Sequence, residues 1–236
     1  MKKNILICCF IISVSTMMGQ ARQGTFSIVP RVGVSLANLS NNDLHISTDG
    51  SITSKSKAGF TVGADAIYQA TDRIAISAGV FYTSLGYKYD DYDLLAETPD
   101  ADATEVKYTA YTDLSTTTGY VTVPVMGHIY IAKGLAVKAG VQAGFFTSAK
   151  SEYTTRDFTQ NIRTGVRTYS NQTSTVKDSS DEGYNKVDIS IPLGVSYEYM
   201  NVVLDARYNI GCTKVIKDTS SKNQFFTFTV GYKFNL

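Results

Sequence analysis

Strict alternation of apolar and polar residues is the feature of this sequence that most limits its fold. Eight windows of about ten residues place apolar side chains at every second position, as a β-strand with two unlike faces requires. These windows cover residues 26–36, 60–69, 74–83, 121–131, 135–145, 187–199, 202–210 and 226–236. After residue 22 no apolar run reaches the roughly 18 residues of a membrane-spanning helix. The sequence therefore predicts an all-β protein.

The composition of the two faces separates a membrane barrel from a soluble sheet. Within the eight windows the apolar face contains no Asp, Glu, Lys or Arg, whereas Gly, Ser and Thr dominate the polar face. A charge facing lipid near the middle of the bilayer would cost roughly 2 to 4 kcal/mol, so the absence of charge points to lipid contact. Small polar residues suit the crowded interior of a narrow barrel.

The connections between the windows alternate between short and long, which is typical of outer-membrane barrels. The short ones cover residues 70–72, 132–134 and 200–201. The long ones cover residues 37–57, 84–119, 147–186 and 212–224. We therefore expect an eight-stranded antiparallel up-and-down transmembrane β-barrel in the bacterial outer membrane, with short periplasmic turns and long extracellular loops.

The N-terminus has the pattern of a secretory signal peptide. A basic start, Met1–Asn4, precedes the apolar run Ile5–Val14, which is too short to cross a membrane as a helix. A small residue, Ala21, suits cleavage after it or one residue earlier. We expect residues 1–21 to be the signal peptide and residues 22–236 to be the outer-membrane barrel domain.

Removal of this segment changes the formal charge from +1 to −1, because the segment contains Lys2 and Lys3. A nearly neutral chain has no electrostatic preference for nucleic acid, and we expect no nucleic-acid partner. Cys8 and Cys9 leave with the segment, so Cys212 is the one remaining thiol and no intrachain disulfide can form.

Three stretches of the chain, Tyr120–Val125, Val203–Gly211 and Thr229–Leu236, resemble the small outer-membrane β-barrel family, which is porin-like and of the OmpA and OmpX type. In the first stretch Thr122 stands where the family usually has an acidic residue, so any role of that acid is not carried over. The arrangement of strands and connections resembles that of the family over the whole mature chain. The resemblance implies a barrel embedded in outer-membrane lipid.

The end of the chain carries the most specific part of this resemblance. Gly231 follows the polar Thr229 by two residues, and Phe234 and Leu236 are the apolar third-last and last residues. This pattern resembles the assembly signal of outer-membrane barrels. The resemblance implies that Gly231, Phe234 and Leu236 are recognised by the barrel-assembly machinery.

Charged residues on the polar face predict a network inside the lumen, which in an eight-stranded barrel is just wide enough for side chains. The cations are expected to meet the carboxylates, because an unpaired buried charge is costly. The predicted network comprises Arg31, Asp65, His128, Lys138, Asp188, Glu198, Asp205, Arg207 and Lys233. Two interpretations stay open at this point, a hydrogen-bonded plug and a narrow ion path.

Little in the sequence indicates catalysis or a bound cofactor. His45 and His128 are the two histidines, so a metal site of several histidines is excluded, and phosphate-binding, zinc and nucleophile-elbow motifs are absent. We expect no enzyme activity, no metal and no cofactor. Asp43 and Ser47 lie near His45 in the first external loop, and they leave a lipid-modifying barrel enzyme as the least favoured alternative.

The leading hypothesis is a non-enzymatic, monomeric outer-membrane barrel that anchors long surface loops for binding or adhesion. Loops outside the membrane are free of the packing demands on the strands, and long loops are often functional. In the third loop the alternation of Tyr153, Phe158 and Val166 could extend a hairpin beyond the bilayer. A narrow porin-like channel is the alternative function, and the sequence leaves the surface ligand undetermined.

Overall fold

A computed structural model describes residues 23–47, 50–100, 102–179 and 181–236 of the chain. The predicted signal peptide, residues 1–21, lies outside the described residues. Within the described ranges the backbone forms fourteen β-strands. In that part of the chain there is no helix of the length and apolarity needed to cross a membrane.

The strands, numbered along the chain, differ widely in length. They are β1 (Phe26–Ser40), β2 (Leu44–Ser47), β3 (Gly50–Ile52), β4 (Lys55–Gln69), β5 (Ile74–Lys88), β6 (Tyr92–Leu95), β7 (Glu105–Ala132), β8 (Leu135–Asn161), β9 (Arg167–Tyr169), β10 (Ser174–Asp178), β11 (Val187–Tyr199), β12 (Val202–Gly211), β13 (Lys222–Tyr232) and β14 (Phe234–Asn235).

Eight of these strands close into a ring, which confirms the predicted antiparallel barrel. The order around the ring is β1, β4, β5, β7, β8, β11, β12 and β13, and neighbouring strands are antiparallel. The last strand returns to the first, with Val32 opposite Val230, and this pairing closes the barrel. Closure satisfies the backbone hydrogen bonds of both edges, as a sheet in lipid requires.

The alternation in the sequence sorts side chains between lipid and lumen as expected. On β8, Val141 is 60% exposed on the outside of the barrel and its neighbour Gln142 is 7% exposed in the lumen. On β12, Leu204 is 54% exposed and Asp205 is 4% exposed. Because successive side chains of a strand point to opposite faces, a one-residue change of register would exchange these two environments.

Residues in the left-handed region of backbone space make two of the tight turns possible. Met200 and Asn201, between β11 and β12, have φ angles of 46° and 70°. A two-residue turn with both central φ angles positive matches the twist of an antiparallel hairpin. Gly134, between β7 and β8, has a φ angle of 74°, and a Cβ there would lie 2.3 Å from the carbonyl oxygen of Glu198.

The second and third external connections differ from the loops that the sequence suggested. Most of their residues belong to strands, because β7 and β8 stay paired from Ala132 and Leu135 up to Glu105 and Asn161. The expected hairpin extension in the third connection is confirmed for Tyr153 and Phe158, which lie in β8, but not for Val166, which lies between β8 and β9. The view of the second connection as a loop is wrong. Their Thr, Tyr and Val residues favour extended backbone, which explains the continued pairing.

The final window is also interrupted. Strand β13 ends at Tyr232 and β14 begins at Phe234, so Lys233 separates two strands that were predicted as one. The backbone N–H of Lys233 donates to the carbonyl oxygen of Asn201 at 2.7 Å, and its side chain turns into the lumen toward Glu198.

Candidate functional sites in the lumen and outside the membrane

The middle of the lumen holds a network of three cations and two carboxylates. Arg31 Nε lies 3.0 Å from Asp65 Oδ2, and Arg31 Nη1 lies 2.8 Å from Asp205 Oδ2. Arg207 also meets both carboxylates, with Nη2 2.9 Å from Asp65 and Nε 2.7 Å from Asp205. Lys138 forms an ion pair with Asp205. All five side chains are buried.

This central network ties together strands that are not neighbours in the ring. Arg31 comes from β1 and Asp65 from β4, whereas Lys138 comes from β8, and β1 and β8 lie on opposite sides of the barrel. The network therefore crosses the lumen. Removing one partner of a buried ion pair costs about 3 to 5 kcal/mol, because the other charge is left without compensation.

The periplasmic end of the lumen is filled by a second ion pair and an apolar layer. Lys233 Nζ donates to Glu198 Oε2 at 2.8 Å, and Lys233 is 1% exposed. The apolar layer consists of Val29, Ile67, Ala75, Tyr130, Ala136 and Val203. Packed side chains thus separate the central network from the periplasmic turns.

Two of the predicted lumen residues lie apart from the cation and carboxylate contacts. His128 Nε2 is 2.8 Å from Ser77 Oγ, although His128 stands directly opposite Lys138 in the sheet. Among the described residues, Asp188 does not meet a cation, contrary to expectation. It accepts hydrogen bonds from Thr213 Oγ1 at 2.8 Å and Asn223 Nδ2 at 2.9 Å.

The position of Asp188 along its strand explains this difference. Gly194 of β11 is opposite both Lys138 and Arg207, so it marks the level of the central network. Asp188 is six residues nearer the extracellular end, roughly 20 Å along the strand at about 3.3 Å per residue. Alternation predicts the face of a side chain, whereas the level at which it meets a partner depends on the stagger between strands.

Aromatic side chains and a loop close the extracellular end of the lumen. Below the mouth, one cluster contains Ala37, Leu85, Tyr120, Phe146, Ala149 and Phe225. Tyr184 stacks on Phe146 with the ring centroids 5.1 Å apart, and its backbone bridges to Ile216 of the last external connection. Val215 in that connection is 1% exposed. Burial raises the pKa of the Tyr184 hydroxyl.

Sequence reasoning missed this closure. Tyr184 and Val215 lie outside the eight alternating windows, so strand periodicity does not find them. The one signal in the sequence is the apolar pair Val215–Ile216 within an otherwise polar connection.

Outside the membrane, β6, β7, β8, β9 and β10 form a sheet that we call the extracellular sheet. Its centre is Phe158, which is 3% exposed. The rings of Tyr108 and Tyr169 lie 5.2 Å and 5.0 Å from it on the neighbouring strands. The guanidinium of Arg167 lies 4.9 Å from the Phe158 ring, and that of Arg156 lies 4.9 Å from Tyr169. The sheet has an apolar core of its own.

An ion pair joins the outer strands of this sheet. Arg167 Nη1 of β9 lies 3.0 Å from Asp93 Oδ2 of β6. Exposed ion pairs contribute little to stability, so most of the rigidity of the sheet comes from the packing around Phe158.

The opposite face of the extracellular sheet presents three tyrosines. Tyr92 and Tyr111 are stacked with centroids 5.1 Å apart, and Tyr153 lies 5.9 Å from Tyr111. Tyr111 is three residues from Tyr108 on β7, so the two point to opposite faces. The three rings are half-exposed. Partial burial and the nearby tyrosines raise the pKa of Tyr92.

The residues of the predicted assembly signal lie where the barrel closes. Gly231 is opposite Arg31, and a Cβ at Gly231 would lie 2.6 Å from the carbonyl oxygen of Pro30. Phe234 is opposite Ile28 and exposed on the outside, and the backbone N–H of Leu236 donates to the carbonyl oxygen of Phe26.

The residues considered for catalysis or metal binding are not assembled into a site in the described part of the chain. The side chains of His45 and Ser47 lie outside the described residues, and Asp43 is exposed. In the described ranges, no group of three or more His, Cys, Asp or Glu side chains is arranged to hold a metal ion.

A family model described as outer membrane protein beta-barrel domain matches residues 18–217 of the chain. No match was found among curated protein sequences.

Similar solved structures include small outer-membrane proteins of other bacteria. Ail, the attachment invasion locus protein of Yersinia pestis, is 13% identical over 90% of this chain and 99% of its own, with a TM-score of 0.41. Neisserial surface protein A is 16% identical over 89% of this chain and 97% of its own, with a TM-score of 0.43. Outer membrane protein W of E. coli is 15% identical over 90% of this chain and 99% of its own, with a TM-score of 0.35.

Proposed function

We propose, since this chain belongs to the outer membrane protein β-barrel domain family, that its barrel anchors the protein while its extracellular sheet binds a surface ligand. The barrel lies in the bacterial outer membrane, with the apolar faces of its strands against lipid. What we propose beyond this location is the role of the extracellular sheet, which is binding or adhesion.

The observation that carries this proposal is the internal packing of the extracellular sheet. Phe158 is buried between Tyr108 and Tyr169 outside the membrane, where the barrel itself gains no support from such a core. A sheet with its own core holds its other face in a fixed shape, and a pre-organised surface loses less conformational entropy on binding. Half-exposed tyrosines such as Tyr92 and Tyr111 are favoured at binding interfaces.

The packing of the lumen supports an anchor over the channel alternative. An ion path would need a continuous polar or hydrated route. The apolar layer around Tyr130, the central network around Asp205 and the aromatic cluster around Tyr120 lie one above another along the barrel. Each of these layers would have to open for ions to pass.

We further propose that the protein is a monomeric, non-enzymatic barrel. In this proposal residues 1–21 are removed during export, and the barrel-assembly machinery recognises Gly231, Phe234 and Leu236. The exposed outer position of Phe234 beside β1 supports this role, because it leaves the ring accessible while the last strand closes the barrel.

The test is to remove the part of the extracellular sheet that β6 and the start of β7 supply. Replacing residues 90–113 with a short Gly and Ser turn keeps Lys88 opposite Ser115, so the barrel pairing is retained. A short turn adds little closure cost. The readout is adhesion of bacteria that display either protein to surfaces coated with mucin, with matrix proteins and with heparin.

We expect the displayed full-length protein to increase adhesion to one of these surfaces and the shortened protein to lose most of that increase. A matched control replaces residues 214–218 of the last external connection with Gly and Ser and should keep the adhesion. If neither protein adheres above an empty-vector strain, or if the shortened protein adheres fully, the proposal is wrong.

A further inference from the structure

The exposed apolar residues on the outside of the barrel form a belt that we call the lipid-facing band. A group of lysines lies on the same outer surface, just beyond the extracellular edge of this band. In the sheet, Lys55 is opposite Lys88, and Lys88 is opposite Ser115. In the next row toward the membrane, Thr117 is opposite Lys150. We call Lys55, Lys57, Lys88 and Lys150 the lysine shelf.

The neighbours of these residues show that the shelf faces away from the lumen. Tyr87 precedes Lys88, and Ala149 precedes Lys150, and both are buried in the clusters at the mouth of the lumen. Successive side chains of a strand point to opposite faces, so Lys88 and Lys150 point outward. Lys57 lies on the same side, because its Nζ reaches Thr117.

The height of the shelf matches the level of lipid headgroups. The exposed apolar residues of the band end at Phe60, Tyr82 and Phe145, and the rings of Phe60 and Tyr82 are 5.7 Å apart. Lys57 and Lys150 follow three and five residues beyond that edge, roughly 10 to 16 Å along strands that are tilted in the membrane. Lysine side chains reach back toward the bilayer with their ammonium groups at the interface.

Among the described residues, Lys57 forms no ion pair of its own, and the carboxylate that acts on its charge, Glu152, is paired with Lys177. Its Nζ donates to Ser115 Oγ at 3.0 Å and to Thr117 Oγ1 at 2.8 Å, both of which are neutral hydroxyls. Gly86 allows this path, because a Cβ at Gly86 would lie 3.1 Å from Lys57 Cδ. These contacts hold the ammonium at a defined place on the outer surface.

Four carboxylates, those of Asp90, Asp91, Asp113 and Glu152, lie close to the shelf. Asp91 Oδ1 accepts a hydrogen bond from the backbone N–H of Asp113 at 3.2 Å. Asp90 lies 2.6 Å from Lys55 Nζ, and Glu152, opposite Ser115, lies 2.9 Å from Lys177 Nζ. Within the described ranges, Lys88 forms no ion pair, although Lys55 stands directly opposite it. Like charges in opposite positions of a sheet destabilise it, and Asp90 offsets this cost at Lys55 but forms no ion pair with Lys88.

We propose that the lysine shelf binds the phosphate group of an anionic lipid in the outer leaflet around the barrel. The shelf is continuous with the lipid-facing surface below Phe60 and Tyr82, so a lipid whose chains lie on that surface brings its headgroup to Lys57. Anionic headgroups attract such basic residues. The lipid would fix the base of the extracellular sheet against the membrane, because Lys150 and Ser115 belong to the two long strands that enter it.

The test uses the full-length protein folded in a neutral detergent and titrated with phosphatidylglycerol, with phosphatidylcholine as the neutral comparison. Native mass spectrometry counts the bound lipids. The shelf variant combines Lys57→Gln, Lys88→Gln and Lys150→Gln. A control variant with the same change of charge combines Lys107→Gln, Lys214→Gln and Lys217→Gln, which are exposed extracellular lysines away from the shelf.

We expect the first bound molecule of phosphatidylglycerol to bind more tightly than phosphatidylcholine. The shelf variant should weaken this binding by about five-fold or more, because the loss of even one lysine contact to the headgroup has an effect of that size. The control variant should bind like the original protein. Heat-modifiable migration shows that each variant is folded.

Three outcomes would overturn the proposal: no preference for phosphatidylglycerol, an unchanged preference in the folded shelf variant, or an equal loss in the control. Parallel titrations with inorganic phosphate and with heparin separate a lipid site from a site for free ions or soluble polyanions. Tight heparin binding through the shelf without lipid preference would assign it to polyanions instead. Adhesion by the extracellular sheet does not depend on these results.

Discussion

Arg207 donates from Nε to Oδ1 of Asp205, two residues before it on the same strand, over 2.7 Å. The spacing of two residues puts both side chains on the lumen face, and Asp205 also meets Arg31 and Lys138. One carboxylate therefore balances charges from three strands. This arrangement makes Asp205 the residue on which the stability of the central network depends most directly.

We expect Asp205→Asn to destabilise the folded barrel by roughly 3 to 5 kcal/mol, because three buried cations would then face Asp65 alone. Urea unfolding of the protein in lipid vesicles, followed by tyrosine fluorescence, measures this loss. The matched control is Glu97→Gln, which breaks the exposed pair with Lys107 and should change stability little. Equal effects of the two variants would contradict the role of Asp205.

The free-energy cost of placing a charged residue on the lipid-facing band should depend on how deep in the bilayer that residue lies. Val141→Arg places a cation against lipid within the band and should cost roughly 2 to 4 kcal/mol. Thr147→Arg, farther along β8 and exposed near the extracellular edge of the band, should cost less than about 1 kcal/mol. Unfolding in vesicles of one lipid composition compares them. If Thr147→Arg proved the more damaging, the position of the band would be wrong.

How much of this molecule follows from its sequence depends on the range of the interaction concerned. Alternation is local, so it predicts that Val141 faces lipid and Gln142 faces the lumen, and it predicts the eight strands. The stagger between strands is not local, so the sequence does not reveal that Asp188 lies above the cations. The contacts of Tyr184 and Phe158 likewise join distant segments, and periodicity carries no information about such pairs.

The extracellular sheet should unfold separately from the barrel when its core is lost. Phe158→Ala removes the ring that Tyr108 and Tyr169 pack against, and truncating a buried Phe costs roughly 3 to 5 kcal/mol. We expect faster amide hydrogen exchange at residues 105–112 and 154–161, with the barrel strands still protected. Ile162→Ala, at an exposed neighbouring position, is the control. Uniformly faster exchange throughout the barrel would show that the two parts form one cooperative unit.

The closing strand provides a test of the assembly proposal. Replacing Phe234 and Leu236 with Asn should lower the amount of folded, heat-modifiable barrel in the outer membrane while export of the precursor continues. The control replaces Ile74 and Ile131 with Asn, since these are exposed apolar residues at the periplasmic ends of other strands. A similar loss in both double variants would indicate general damage to the lipid-facing band instead of a role in assembly.

Conductance separates the anchor from the channel. Three layers lie along the lumen, and the central one joins charged groups directly at distances such as 2.8 Å between Arg31 Nη1 and Asp205 Oδ2, which is too short for an intervening water. We therefore expect no steady ion current above background from the protein in planar bilayers. The double variant Tyr184→Ala with Val215→Ala should also stay closed, because loosening the extracellular mouth leaves the central network and the apolar layer around Tyr130 in place. Steady currents from the original protein that change in size or ion selectivity with Arg207→Ala would instead identify the lumen as an ion path, and the channel would replace the anchor as the proposed function.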